Sequence, residues 1–269
     1  MKSVIVTGAS SGIGRAASSR LANAGYRVYG LARSYDKLQA MAGELANFVP
    51  VEFDVTKPDK FDKVLDPIIA SSPSGIFGLV NNAGYVEPGA IEDLSMESIR
   101  MQFETNFFGL VGVTKKILPS MMAQKEGRIV NVSSMAGMVS LPTIGMYCAT
   151  KHALEAFTEA LRMELWNTGI KVASINPGII ETNIHFVTDE KVSQLKNSRF
   201  AKAYAKYLKE TPRGLPSSIV ADAIYDAVST SKPKYRYLLG SAREKAGVRL
   251  RRIAPDDIIH SLVAKRVLE

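Results

Sequence analysis

Eight residues near the start of the chain, Thr7-Gly8-Ala9-Ser10-Ser11-Gly12-Ile13-Gly14, join a β-branched run, Val4 to Val6, to an amphipathic pattern from Gly12 to Ala24. Three glycines in a strand-to-helix connection permit a tight turn, a close backbone approach by a ligand, and close packing of helix on strand. The first amides of the helix face that connection, where they suit a phosphate. A chain that opens this way is confined to few architectures.

The same alternation continues. Arg27 to Ala32, Val49 to Phe53, Phe77 to Val80, Arg128 to Val132 and Val172 to Ile175 read as strands. Helical patterns run through Leu38 to Leu45, Ser98 to Met122 and Met146 to Trp166. The sequence therefore predicts an α/β fold, a Rossmann-type doubly wound parallel sheet with helices on both faces. With 269 residues, 46% of them hydrophobic, and no Pro/Gly-rich linker, residues 1–269 are read as a single domain.

After Pro177 the rhythm breaks into a polar and aromatic segment, about 183–213, then a helix near Ser217 to Ser229, a strand near Tyr235 to Leu239, and a basic tail, about 232–269. Two readings stand for 183–213. Ile184, Phe186, Phe200 and Tyr204 form a cover over a water-poor pocket, or they are the inner face of an ordinary helix packed on the body.

The formal charge of +8 suits an anionic cofactor, an anionic membrane surface or nucleic acid. The tail concentrates it, with ten Lys/Arg against four Asp/Glu and the densest cluster at Arg249, Arg251 and Arg252. A solvated helical face is the first reading and membrane-surface contact the second; nucleic acid is set aside because no reading module is present. The single cysteine, Cys148, rules out an intramolecular disulfide, and the scattered His152, His185 and His260 give no metal spacing. No run of about 18 apolar residues occurs, so a soluble, cytoplasmic protein is expected.

The second strand ends in Ala32-Arg33-Ser34. A site for NAD would present a carboxylate here to the ribose 2′-hydroxyl, whereas the 2′-phosphate of NADP calls for a cation. Ala32 occupies the carboxylate's place and Arg33 follows, so NADP(H) is the expected cofactor. Asp36, the nearest acid, lies farther on in a helix's first turn, where it complements the dipole.

At this point the chain resembles the classical short-chain dehydrogenase/reductase family. The resemblance rests on TGASSGIG at 7–14, Asp54-Val55, Asn81-Asn82-Ala83-Gly84, Asn106, Ser133-Ser134, Tyr147-Cys148-Ala149-Thr150-Lys151 and Pro177-Gly178, in that order over roughly the first 185 residues. It implies that Gly8, Ser10, Gly12, Ile13 and Gly14 hold the cofactor, that Asp54 and Val55 border its adenine, and that Asn82, Ala83 and Gly84 support its pocket. It also implies that Pro177, Gly178, Ile180 and Thr182 line the nicotinamide, that Lys151 holds the nicotinamide ribose, and that Asn106 binds a water linking Lys151 to solvent. Read from the residues alone, Asn81 to Gly84 serve equally as a strand-ending turn that buttresses the sheet.

Tyr147 and Lys151, four apart, share one face of a helix. A free tyrosine titrates near 10 and is a poor base at neutral pH, and a nearby ammonium favours its phenolate. Hydride addition to a carbonyl builds negative charge on oxygen, which Tyr147 can protonate while the Ser134 hydroxyl donates a hydrogen bond. These residues point to an NADP(H)-dependent oxidoreductase acting on a carbonyl or secondary alcohol, with an apolar steroid-, retinoid- or lipid-like compound as substrate. The opposing reading is a dinucleotide-binding regulatory or scaffold protein without turnover. The two long helices, near 98–122 and 146–166, resemble those that pair in the family's dimers and tetramers, so a homodimer or homotetramer is expected.

Overall fold

The computed structural model describes residues 1–181, 193–210, 214–251 and 253–269. In chain order its elements begin β1 (Ser3–Thr7), α1 (Gly12–Asn23), β2 (Arg27–Ala32), α2 (Tyr35–Glu44), β3 (Phe48–Glu52), α3 (Phe61–Ala70) and β4 (Ile76–Asn81). The second half of the sheet follows as α4 (Met96–Phe103), α5 (Gly109–Gln124), β5 (Gly127–Val132), α6 (Gly145–Glu164) and β6 (Ile170–Pro177). The rest comprises β7 (Ile180–Glu181), α7 (Ala201–Glu210), β8 (Leu215–Pro216), α8 (Ser217–Ser229), β9 (Arg236–Leu239), α9 (Ala242–Leu250) and α10 (Asp256–Leu268).

Seven strands form one sheet in the order β3-β2-β1-β4-β5-β6-β9, every neighbouring pair parallel. Every residue of β1, β4 and β5 is buried, which is why these segments read as near-continuous apolar runs rather than as alternating ones. The pleat still divides them. Val4 and Val6 pack with Leu21 of α1 and Ile224 of α8 on one face, while Ile5 and Leu79 pack with Leu65 of α3 and Ile117 of α5 on the other. The doubly wound α/β fold expected from the sequence is thus the fold observed.

Because all strands run the same way, Thr7, Ala32, Asn81, Val132 and Pro177 end at one edge of the sheet. The strand order reverses between β1 and β4, which opens a crevice beyond their carboxyl ends. That crevice is where the glycine turn, the segment after β4 and the end of β5 have room to meet.

Three features differ from the sequence-based expectation. Helix α3 is an addition to it: Pro67 sits within the helix and interrupts its hydrogen-bond ladder, yet Phe61, Leu65 and Ile68 supply one buried stripe. The long helix expected over 98–122 is broken into α4 and α5 by a π-helical segment, Glu104–Phe108. The tail is not simply a solvated face, since α9 and α10 bury Val248 and Ile259. Among the described residues no helix is long and apolar enough to cross a membrane, and no cluster of three or more His, Cys, Asp or Glu could hold a metal ion. Thr182, Ile184, His185, Phe186 and Arg252 lie outside the described residues.

Candidate active site

The crevice is a cavity of about 550 Å³. Gly8 (φ +66°) and Gly12 (φ +51°) take left-handed backbone conformations that carry the chain from β1 round to α1. Gly8, Ser10, Ser11, Gly12 and Ile13 line the cavity. Gly14 does not; a Cβ there would lie 2.1 Å from the Gly8 carbonyl oxygen, so its bare backbone is what seats α1 against the turn. The Ser11 side chain makes no capping hydrogen bond to α1, whose first turn holds no acidic residue. The orphan amides at that end are therefore available to an anion.

The segment after β4 buttresses the glycine turn and also borders the cavity. Thr7 Oγ1 accepts from the amides of Asn82 and Ala83, each at 3.0 Å, and Asn82 Nδ2 donates to the Thr7 carbonyl at 2.9 Å. Asn81 is turned into the sheet, with Nδ2 donating to Thr114 Oγ1 and Asn131 Oδ1. Asn82, Ala83 and Gly84 nevertheless line the cavity as well.

At the β2 end, Ala32, Arg33 and Ser34 border the cavity, joined by Lys37 from the first turn of α2. Asp54 and Val55, after β3, line it too. Burial works against the Asp54 carboxylate, but the Thr56 amide and hydroxyl, at 2.9 and 2.8 Å, together with Arg33, hold its pKa below the usual carboxylate value.

The other end is built by β5 and α6. Tyr147 is half-buried and Lys151 buried, and both line the cavity. Lys151 Nζ lies 5.8 Å from the Tyr147 ring centroid and donates to the Val132 carbonyl at 3.0 Å. Asn106 sits fully buried within the π-helical segment; its Oδ1 accepts from the Tyr85 amide and its Nδ2 donates to the Tyr85 carbonyl, at 2.9 and 2.8 Å. The Asn106 side-chain amide is thus engaged with protein partners.

Ser134 lies just beyond this cavity. Its Oγ accepts from the Ala136 amide at 3.1 Å and donates to the Pro177 carbonyl at 3.4 Å. Ser133 lines the cavity instead, with a buried Oγ that has no hydrogen-bond partner among the described residues. Pro177, Gly178 and Ile180 also stand outside it: the Gly178 amide donates to the Leu239 carbonyl and Ile180 pairs with Leu215. Glu244 of α9 accepts from the Ile179 amide at 2.9 Å and closes a capping box with Ser241, tying the tail to the turn after β6. An open helix N-terminus at the centre, two cations at one end, and an orphan hydroxyl with a buried ammonium at the other fit an elongated dinucleotide.

The family model described as short chain dehydrogenase matches residues 2–192. The chain belongs to the short chain dehydrogenase family. It is similar to the NADPH-dependent 3-dehydrocapnine reductase of Ornithobacterium rhinotracheale, at 34% identity over 249 residues, covering 89% of this chain and 88% of the relative. It is similar also to the 3-ketodihydrosphingosine reductase of Bacteroides thetaiotaomicron, at 32% identity over 262 residues, covering 95% and 94%. Among solved structures, a single-residue variant of actinorhodin polyketide ketoreductase with NADPH superposes with a TM-score of 0.78 at 30% identity, covering 88% of this chain and 95% of that one. This chain is accordingly an oxidoreductase of the short chain dehydrogenase family.

Within this dehydrogenase, Lys37 and Ser133 line the cavity although the sequence assigns a role to neither. Lys37 reads in the sequence as one more surface lysine, and only the turn into α2 brings it beside Arg33. Ser133 stands next to Ser134, and no pattern in the sequence says which of two adjacent hydroxyls faces a cavity.

Burial pushes the Lys151 ammonium down to about 8 from the ordinary 10.5, with Glu155 opposing the shift. Lys151 therefore holds fewer protons folded than unfolded between about 8 and 10.5, and stability from this residue rises with pH across that window. Below about 8 it is charged in both states and the desolvation cost is fully present. Lys151→Met is expected to flatten the rise of urea-derived stability with pH between about 8 and 10 relative to wild type. An unchanged slope would place the lysine in a more solvated setting.

Proposed function

We propose that this dehydrogenase is an NADP(H)-dependent carbonyl reductase acting on an apolar substrate. The observation that carries the reading is the meeting, in one cavity, of the glycine turn, the Arg33 and Lys37 cations, and Tyr147 beside Lys151. A bound nicotinamide supplies hydride for reduction and accepts it in the reverse direction.

The rest is done by the chain's own groups. The α1 amides take the pyrophosphate, and Arg33 with Lys37 takes the 2′-phosphate. Tyr147 Oη delivers a proton to the carbonyl oxygen as negative charge develops there. The Lys151 ammonium stabilises the phenolate left behind, and Ser134 Oγ turns from the Pro177 carbonyl, a long 3.4 Å contact, to donate to the same oxygen. The relatives named 3-dehydrocapnine reductase and 3-ketodihydrosphingosine reductase support a long-chain ketone as substrate and reduction as the working direction. Exposed Phe108, Met163 and Trp166 in and after the two long helical elements support a homo-oligomer.

Titration with NADPH and NADH, followed by cofactor fluorescence and then by addition of apolar ketones, tests the reading. Tight NADPH binding with oxidation on ketone addition is expected; binding without turnover across the panel would favour a regulatory protein. Arg33→Asp should weaken NADPH binding by about ten- to a hundredfold, the worth of one or two charge-assisted hydrogen bonds, and improve the relative affinity for NADH. Unchanged NADPH affinity in that variant would remove Arg33 from the 2′-phosphate site.

A further inference from the structure

A second cavity, of about 570 Å³, lies between the loop after the serine turn and the tail, and shares no described lining residue with the first. Its apolar wall is Met138, Val139 and Leu141 from the loop and Ile259, Val263 and Ala264 from α10. Its remaining polar lining is nitrogen-rich: His152 of α6, His260 of α10 and Arg251, with Ser140 and, among the described residues, no acidic one. The volume falls within the range of small-molecule sites.

We infer that this second cavity binds a single-chain carboxylate amphiphile, its chain against the loop and α10 and its carboxylate at Arg251 and the two histidines. The donors present fit a carboxylate. Arg251 already pairs through Nη1 with Asp256, which neutralises it formally, yet a guanidinium carries five N–H donors and most remain. His152 Nδ1–H donates to the Cys148 carbonyl at 2.8 Å, so Nε2 is the ring's remaining polar atom. The remaining guanidinium donors and the two imidazole rings suit the two oxygens of one carboxylate, while Asp256, already on the guanidinium, disfavours the higher charge of a phosphate dianion.

The position joins the site to the catalytic segment. The loop runs on from Ser134, and the Leu141 amide donates to Cys148 Sγ, the residue after Tyr147. The two cavities are separate, so amphiphile and cofactor are bound together rather than in competition.

Calorimetric titration of the full chain, saturated with NADPH, with dodecanoate below its micelle concentration tests the inference. Saturable binding at one per chain is expected. Val263→Trp, which fills the cavity, should abolish it while the Kd for NADPH stays unchanged. Arg251→Gln should raise the Kd for dodecanoate by about tenfold and leave that for dodecanol unaltered, since only the carboxylate is addressed. The inference is overturned if the heats do not saturate, as for partition on the exposed Ile258 and Leu262. It is equally overturned if dodecanoate displaces NADPH, or if Arg251→Gln weakens dodecanol as much as dodecanoate.

Discussion

Tyr147→Phe is expected to lower kcat for ketone reduction by about 10²- to 10⁴-fold, the range that a positioned general acid contributes, while NADPH still binds. The hydroxyl is the one group removed. The ring keeps its place at the cavity, Lys151 keeps its bond to the Val132 carbonyl, and Arg33 and Lys37 lie farther along the same sheet edge, beyond β1 and β4. Single-turnover kinetics with preloaded NADPH separates chemistry from binding. A variant that turns over at the wild-type rate would move the proton donor elsewhere, and one that also loses NADPH would show that the hydroxyl holds the cofactor pocket together.

Gly14→Ala is expected to do the opposite, removing binding rather than chemistry. The added methyl would lie 2.1 Å from the Gly8 carbonyl oxygen and 2.5 Å from Asn82 Nδ2, and the first of these is main chain that cannot swing aside. Relief requires α1 to move away from the turn, carrying its open amides with it and straining the bond from Asn82 to the Thr7 carbonyl. Overpacking of this kind costs about 1–3 kcal/mol, enough to lower Tm by several degrees in a chain of this size. NADPH affinity should fall by at least about a hundredfold, because the anion site depends on the displaced amides. Thermal unfolding and fluorescence titration read the two effects separately; wild-type values in both would mean that α1 sits farther from the turn.

Much of this was legible in the residues because it rests on local rules. The glycines of 7–14 mark a strand-to-helix turn wherever they occur, and the β-branched runs of β1, β4 and β5 are what strands buried on both faces require. The Tyr147 to Lys151 spacing places both on one face of α6. What escaped depends on distant partners. Nothing in Glu104 to Phe108 announces a π segment, since one wider turn hardly disturbs the apolar periodicity of α4 and α5. Helix α3 was hidden by Pro67, a residue that local propensity scores against and that tertiary packing overrides. Ser133 and Ser134 are indistinguishable until the strand's final twist aims one inward. Lys37 joins Arg33 only in a cavity that several separate segments enclose.

Glu244 holds both the cap of its own helix and the amide of Ile179, so the tail from α9 onward is mechanically coupled to the sheet edge where the reaction is proposed to occur. Coupling of that kind is reciprocal: a ligand that favours the ordered turn after β6 also favours the docked tail, and whatever frees the tail lowers the ligand's affinity by the same factor. A ligand that engaged the turn after β6 would therefore be linked to the docking of the tail, and protease cleavage of the C-terminus measured with and without that ligand would report the linkage.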